Sequence, residues 1–355
     1  MNIRMVAKLA KVSTATVSRT MNGSAHVNPR TAERVREAIE ALNFYPNTNA
    51  RSLGSGRSGL FGLIVSDITN PFFPGLVKAF EDFALENGQE VLIANTNYDP
   101  KRMNACVTRF LQRNVEGVAI MTSEMGQQAL TGLSRRPIPL VFLDSEHKGP
   151  NVRCVKIDYA SGMEMVSDHL LNLGHRDIGF ITGPLHLRSA MLRYKAFLKL
   201  SERRQLVMRP AMIQEGNHRV DGGHAAMLRL LESGEKPTAM LTSNDLTAIG
   251  AISAIKEFGM RVPEDISVVG FDDIPFSAYT SPPLTTVAVP GVEIARAAFK
   301  ALMQIREGAD TLGTVRRVAQ TIHPSMVVRS STAPPRKAPA ARNPRRRAPI
   351  PTSNA

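Results

Sequence analysis

From residue 60 onward, short β-rich runs alternate with amphipathic stretches, and this alternation limits the fold more than any other feature. Candidate strands fall at 60–66, 90–95, 117–121, 139–143 and 152–157, with a second series at 177–182, 211–215, 238–242 and 265–270. Helical patterns lie between nearly every pair. A parallel connection needs a crossover long enough to hold a helix, so the alternation predicts parallel sheets covered on both faces. Two series in one stretch predict two doubly wound subdomains.

The first 45 residues read as three short helices. Val6, Leu9 and Ala10 form the first apolar set, Ser13 is a start signal, and Val17 and Met21 follow at helical spacing. Asn28 suits an N-cap and Pro29 the first helical position, where its missing N–H costs nothing. Val35, Ala38, Ile39 and Leu42 then mark the apolar face of a third helix. Pro46 ends the unit, and residues 47–59, NTNARSLGSGRSG, have the composition of a linker. From about 331 the chain is rich in Pro, Arg and Ala, which predicts a disordered basic tail.

Charge separates these parts. The net charge is +13, of which residues 1–58 (nine Lys/Arg, three Asp/Glu) and 331–355 (six basic, no acidic) each carry +6. The body between them holds 29 basic against 28 acidic residues and is nearly neutral. A basic head on a neutral body suits a polyanionic partner, nucleic acid first. No run approaches the ~18 apolar residues of a membrane span, and the N-terminus lacks the apolar stretch of a signal peptide. Cys106 and Cys154 have neither metal nor disulfide spacing, so a reducing, cytoplasmic setting is expected.

The sharpest local signal is VAKLAKVSTATVSRTMNGS at 6–24. Two short helices joined by a tight turn let the second lie in the major groove. That helix offers Thr14, Ala15, Thr16, Ser18 and Arg19, small polar groups plus one guanidinium able to pair with guanine. The bland alternative is a three-helix bundle with a solvated basic face.

This segment, followed by RVREAIEALNFYPNTNARSL, resembles the lactose-repressor (LacI/GalR) family of bacterial transcription regulators. The likeness continues in GLIVSDITNPFF, NLGHRDIGFITGP, TSNDLTAIGAI and RVPEDISVVGFDD, and covers about residues 3 to 328. It implies a small all-α helix-turn-helix head on an α/β core of two doubly wound parallel-sheet subdomains of periplasmic-binding-protein type. Residues 1–46 would be the head, 47–58 a hinge helix or linker, and 59–330 an effector-binding and dimerisation core. Within the core the N-subdomain would take about 59–158 and 291–321, the C-subdomain about 161–288 and 325–330, with the tail at 331–355. One departure is Lys11, where the family usually has a small residue or Asn in the turn.

The resemblance also implies a set of DNA contacts: Ser13, Thr14, Ala15, Thr16, Ser18, Arg19, Asn22, His26, Thr31 and Tyr45. To these it adds hinge residues Ala50 and Leu53. In family members the hinge helix enters the minor groove and a leucine wedges a base step, at a cost of a few kcal/mol offset by the bend it permits. Leu53 holds that position; otherwise it would pack on the core. Gly54 to Gly59 spell GxGxxG but precede a strand instead of following one, so they read as tether and not as a dinucleotide site.

In the core, Asn70-Pro71-Phe72-Phe73 follows the first strand, at the strand edge where open α/β sheets place ligands. By likeness to sugar-binding relatives, Asn70, Phe72, Phe73, Arg193, Asn244 and Asp272 form an effector site, with Ser123 and Ser189 as further contacts. Val289 stands where ribose binders often have an amide, which counts against ribose itself. Aromatic faces with Asp, Asn and Arg suit a polar ring. A monosaccharide or its phosphate is the first expectation, a purine or a sugar acid the next, and Arg188 would suit an acid.

Catalysis is not expected. No metal or nucleophile motif appears, no cofactor is called for, and the histidines are scattered. His218 and His224 are six apart and so on different helical faces, while His175 and His186 stand alone. The reading is a DNA-binding repressor acting as a homodimer on pseudo-palindromic operator DNA and controlled by a small effector. Its rivals are a sugar receptor without DNA binding and an α/β enzyme acting on a sugar or nucleotide.

Overall fold

The computed structural model describes residues 2–21, 26–44, 57–122, 127–134, 136–145, 147, 149–207, 209–308 and 318–336. Asn22, Tyr45, Ala50, Leu53 and Ser123 lie outside these residues. The chain divides into an N-terminal unit and a large core unit.

The N-terminal unit holds α1 (Ile3–Leu9), α2 (Thr14–Met21) and α3 (Pro29–Ala41). Each start has a side-chain cap: the Asn2, Ser13 and Asn28 oxygens accept from Met5, Thr16 and Arg30 N–H. Val6, Val17 and Val35, all inaccessible, meet at the centre with Ala7, Ala10 and Ala38. Leu9 departs from expectation. It is 52% exposed, while Ile3, Val12, Met21, Ile39, Leu42 and Phe44 pack around the valine and alanine centre. Lys11, in the turn between α1 and α2, takes φ 52, the left-handed region. Gly and Asn are the residues that visit this region at least cost. Arg34 Nη2 reaches back to the Ala10 carbonyl at 2.9 Å and satisfies an orphan acceptor at the end of α1.

The core unit begins with β1 (Leu60–Val65), α4 (Phe72–Glu86), β2 (Glu90–Asn95), α5 (Pro100–Gln112) and β3 (Gly117–Met121). It continues through α6 (Gln127–Ser134), β4 (Leu140–Leu143) and β5 (Val152–Ile157). The chain then crosses into α7 (Tyr159–Asn172), β6 (Ile178–Thr182), α8 (Arg188–Arg203), β7 (Ile213–Glu215) and α9 (Val220–Glu232). β8 (Ala239–Thr242), α10 (Asp245–Glu257), β9 (Ser267–Asp272) and β10 (Thr285–Ala288) complete that half. α11 (Gly291–Arg306) and β11 (Val318–Ile322) return to the first half, and β12 (Ser325–Val327) belongs again to the second.

The first sheet runs β11-β5-β4-β3-β1-β2 and the second β12-β10-β9-β8-β6-β7. Leaving aside the last strand of each, both have the doubly wound order whose direction of progression reverses beside the first strand, the place where such sheets bind ligands. Phe61, Leu63, Ile64 and Val65 of β1 are all inaccessible, as a strand covered on both faces requires. Strand β12 pairs antiparallel with β10, so the second sheet is not wholly parallel.

The tail expectation needs correction at its start, residues 331–336; residues 337–355 lie outside the described residues. Residues 331–336 are packed on the second subdomain: Ser331 is fully buried, and its Oγ accepts the Thr285 N–H and donates to the Val268 carbonyl. Ala333 exchanges bonds with the Ser267 hydroxyl and meets His175 Nε2 at 2.8 Å. Composition alone hides this, because the segment is held by backbone groups and two hydroxyl residues.

Candidate functional site

In the N-terminal unit, α2 buries Val17 and turns the opposite face outward. Thr14, Ala15 and Arg19 are exposed, while Thr16 and Ser18 are half-buried. The pairs Thr14/Ser18 and Ala15/Arg19 stand four residues apart, so they form one stripe. Ser13 and Thr16 are partly engaged with each other: their hydroxyls lie 2.9 Å apart and Ser13 Oγ accepts the Thr16 N–H at 3.1 Å. They fix the start of the helix as well as facing solvent. His26 is exposed and Thr31, in the first turn of α3, is half-buried.

In the core, one cleft is lined from both subdomains, and its residues come from the C-terminal ends of strands. Ser66 and Asn70 follow β1, Thr122 follows β3, Asp144 follows β4, Asn244 follows β8 and Asp272 ends β9. The empty volume, open mouth included, is about 650 Å³. Of the expected effector residues, Asn70, Phe72, Phe73, Ser189, Arg193, Asn244 and Asp272 all line it, as does Val289.

Their roles differ. Asn70 Oδ1 accepts the Phe72 N–H at 3.1 Å, an Asx turn that sets the entry to α4. Phe72 and Phe73 pack edge to face with centroids 5.3 Å apart, Phe73 buried and Phe72 half-buried. Asn244 caps α10 by accepting from Thr247 N and Oγ1, and its amide donates to the His218 carbonyl at 3.0 Å. Both ends of that side chain therefore hold the wall of the cleft.

Arg193 is the centre of charge. It is 5% exposed, and its guanidinium lies over the Tyr159 and Phe271 rings at 5.2 and 5.0 Å. Its Nη1 is 3.7 Å from Asp272 Oδ1, beyond hydrogen-bond length, and Nη2 is 3.4 Å from His218 Nε2. Its Nε has no partner among the described residues. Burial, reinforced by Asp245 and only partly opposed by Arg193, pushes the Asp272 carboxyl up to about 8. Asp272 and Asp273 take φ 111 and 54, and the residues that follow this strained pair are held by Asp245. Asp245 accepts from Ile274 N at 2.8 Å, Ser277 Oγ at 2.6 Å and Thr286 Oγ1 at 2.5 Å.

Sequence reasoning missed Asp144, Tyr159, Tyr98 and His218 as lining residues. Asp144 had a usable signal, a lone carboxylate directly after a parallel strand. His218 was set aside on helical spacing from His224, but it sits in the turn before α9 at φ 63. Burial, with Arg193 adding to it, holds its imidazole down at about 3, so it is neutral, and it bonds Ser243 Oγ at 2.9 Å. Gly183 makes room for it; a Cβ there would collide with the ring.

Residues 2–47 match the domain described as bacterial regulatory proteins, lacI family, and residues 167–332 match the periplasmic binding protein-like domain. The chain is 36% identical over 332 residues to the HTH-type transcriptional repressor PurR of Haemophilus influenzae (strain PittEE), covering 93% of this chain and 98% of that one. Among solved structures, the Lac repressor dimer bound to operator and the anti-inducer ONPF aligns with TM-score 0.84 at 31% identity, over 94% of this chain and 99% of that one. The transcriptional regulator CelR in complex with cellobiose aligns with TM-score 0.69 at 26% identity, over 93% and 99%. Identity at that level across nearly the whole of both chains decides the family: the chain belongs to the lacI family of bacterial regulatory proteins, as a DNA-binding transcriptional regulator with a ligand-binding core and not an enzyme.

Proposed function

We propose that the protein is an operator-binding repressor whose grip on DNA is set by a monosaccharide held in the cleft. The observation that carries the reading is Arg193, a guanidinium buried in the cleft with no hydrogen bond of good length to a carboxylate. A buried charge is costly unless its donors are used, and ligand hydroxyls would use them. Asp272 and Asp144 offer acceptors or donors nearby, and Phe72 and Phe73 offer faces for the C–H side of a ring. A purine is the second reading, favoured by the number of rings, Phe72, Phe73, Tyr98, Tyr159 and neutral His218, that line one cavity.

On the DNA side, the exposed stripe Thr14, Ala15, Ser18 and Arg19 would read one half-site, and a two-fold dimer would read a pseudo-palindrome. Ligand control requires different affinities for two forms of the core. Calorimetry against pentoses, hexoses, their phosphates and nucleobases tests the effector class; heat from nucleobases alone would replace the first reading by the second. Asp272→Ala is expected to abolish the ligand response while operator binding stays near wild type. Arg19→Ala is expected to weaken specific DNA binding by about 1–3 kcal/mol. Undiminished operator binding by that variant would remove α2 from the groove.

A further inference from the structure

At the rim of the cleft a single guanidinium nitrogen joins the two subdomains. Arg219 precedes α9 in the C-subdomain, whereas Asp67 and Asn97 follow β1 and β2 in the N-subdomain. Arg219 Nη2 donates to Asp67 Oδ2 at 2.8 Å and to Asn97 Oδ1 at 2.8 Å. None of the three lines the cleft itself.

Both sides of this contact are built in advance. The other Asp67 oxygen accepts the Thr69 N–H at 3.0 Å and the Thr69 hydroxyl at 2.6 Å, so the carboxylate is aimed by its own turn. Asn95 Oδ1 accepts the Ile68 N–H and ties the two N-subdomain loops together. On the opposite side, Asn217 Oδ1 accepts the Arg219 N–H at 2.9 Å and its amide leans on Asp221. Burial raises the Asp67 carboxyl, but the Thr69 and Arg219 hydrogen bonds outweigh it and leave it below the usual range. The ion pair is asymmetric: the Asp67 side chain is 4% exposed and that of Arg219 is 47% exposed.

Another bond between the subdomains, Tyr159 to Asp144, lies beside the 158 crossover, where the chain itself already joins the two halves. Arg219 stands 152 residues from Asp67 and 122 from Asn97, so the contact joins segments far apart in the chain. We infer that Arg219 is a clasp which draws the core toward its closed form without touching the effector. A ligand that needs the closed form binds in proportion to the fraction already closed, so the clasp sets how tightly the site holds its ligand. This deepens the effector reading of the cleft, yet closure can be measured with no effector at all, so the two ideas fail separately.

The test uses the full chain with spin labels at Glu86→Cys on α4 and Glu232→Cys on α9, one exposed site on each subdomain, the native cysteines being buried. Double electron–electron resonance then gives the distance distribution between subdomains. Arg219→Ala and Arg219→Glu are expected to move population to longer distances, shifting the closed-to-open ratio by about two- to fivefold for the Ala change, as for a half-exposed pair. Raising NaCl from about 0.05 to about 1 M should open the parent chain in the same sense and leave Arg219→Ala unchanged. Arg219→Lys, which keeps the charge, should fall between the two. Superimposable distributions for the parent and Arg219→Ala, or equal salt responses in both, would overturn the clasp.

Discussion

The Tyr159 hydroxyl donates to Asp144 Oδ2 at 2.8 Å, joining the first turn of α7 in one subdomain to the end of β4 in the other. The second Asp144 oxygen accepts the Ile157 N–H at 2.8 Å, and both side chains are buried. Burial raises the Asp144 carboxyl, and these two bonds pull it back only in part. Tyr159→Phe keeps the ring under Arg193 but removes one donor from a buried acceptor, a loss of about 1–3 kcal/mol. Without that donor the carboxyl rises further, and a raised acid lowers stability as pH rises toward its folded value. The gap between variant and parent should therefore widen with rising pH and narrow in acid. Urea unfolding at two pH values measures it, and a gap independent of pH would mean that the charge of Asp144 plays no part.

Asp272 carries the same sign with a larger shift. Its folded value of about 8 lies above the ordinary 3.8, so between these pH values the folded chain binds the extra proton and stability falls as pH rises. Asp272→Asn removes that slope. Calorimetric Tm curves across the window should be steeper for the parent than for the variant. Parallel curves would show that Arg193 keeps Asp272 ionised throughout.

Lys11 sits at φ 52, where an L side chain is strained by roughly 1–2 kcal/mol. Lys11→Gly relieves the strain but adds freedom to the unfolded chain. The balance predicts a head more stable by about 0.5–1 kcal/mol, read from thermal unfolding of the α-helical head signal. A destabilised Lys11→Gly chain would mean that the lysine side chain makes up for its backbone.

Much of this architecture was legible because it rests on periodicity. The nine strands proposed from β-rich runs appear within two residues at each end, and Asn28-Pro29 marked the start of α3. The strands not anticipated, β10, β11 and β12, are short segments such as TTVA and SMV that only pairing with a neighbour makes extended. The cleft was half legible. Asn70 and Asp272 belong to quoted motifs and Arg193 came from the likeness to sugar-binding relatives, whereas Asp144 and Tyr159 are single residues whose meeting depends on the crossover at 158. His218 was hidden for a local reason: its φ of 63 puts it in a turn, so helical spacing said nothing about where it points.

The segment from Ser331 to Arg336 predicts two different truncation phenotypes. Ending the chain after Ser330 would deprive the buried Thr285 N–H of its Ser331 acceptor at 2.8 Å and the Val268 N–H of the Ser331 carbonyl at 2.8 Å. It would also remove Ala333 from His175 and Ser267, Thr332 from His169, and Arg336 from Asp265. Each buried polar group left unmet costs about 1–3 kcal/mol, so the combined loss should exceed about 3 kcal/mol even with partial rescue by water. Ending the chain after Arg336 keeps all of these bonds and removes five of the six basic residues beyond 330. That chain should melt with the full-length protein, and its DNA affinity should depend less steeply on salt because fewer counterions are released. Calorimetry of both truncations, with DNA binding across a salt series for the longer one, separates the two roles. If the chain ending at Ser330 melted with the full-length protein, the packed segment would contribute nothing to the core. An unchanged salt slope in the longer truncation would place the basic residues beyond Arg336 away from DNA.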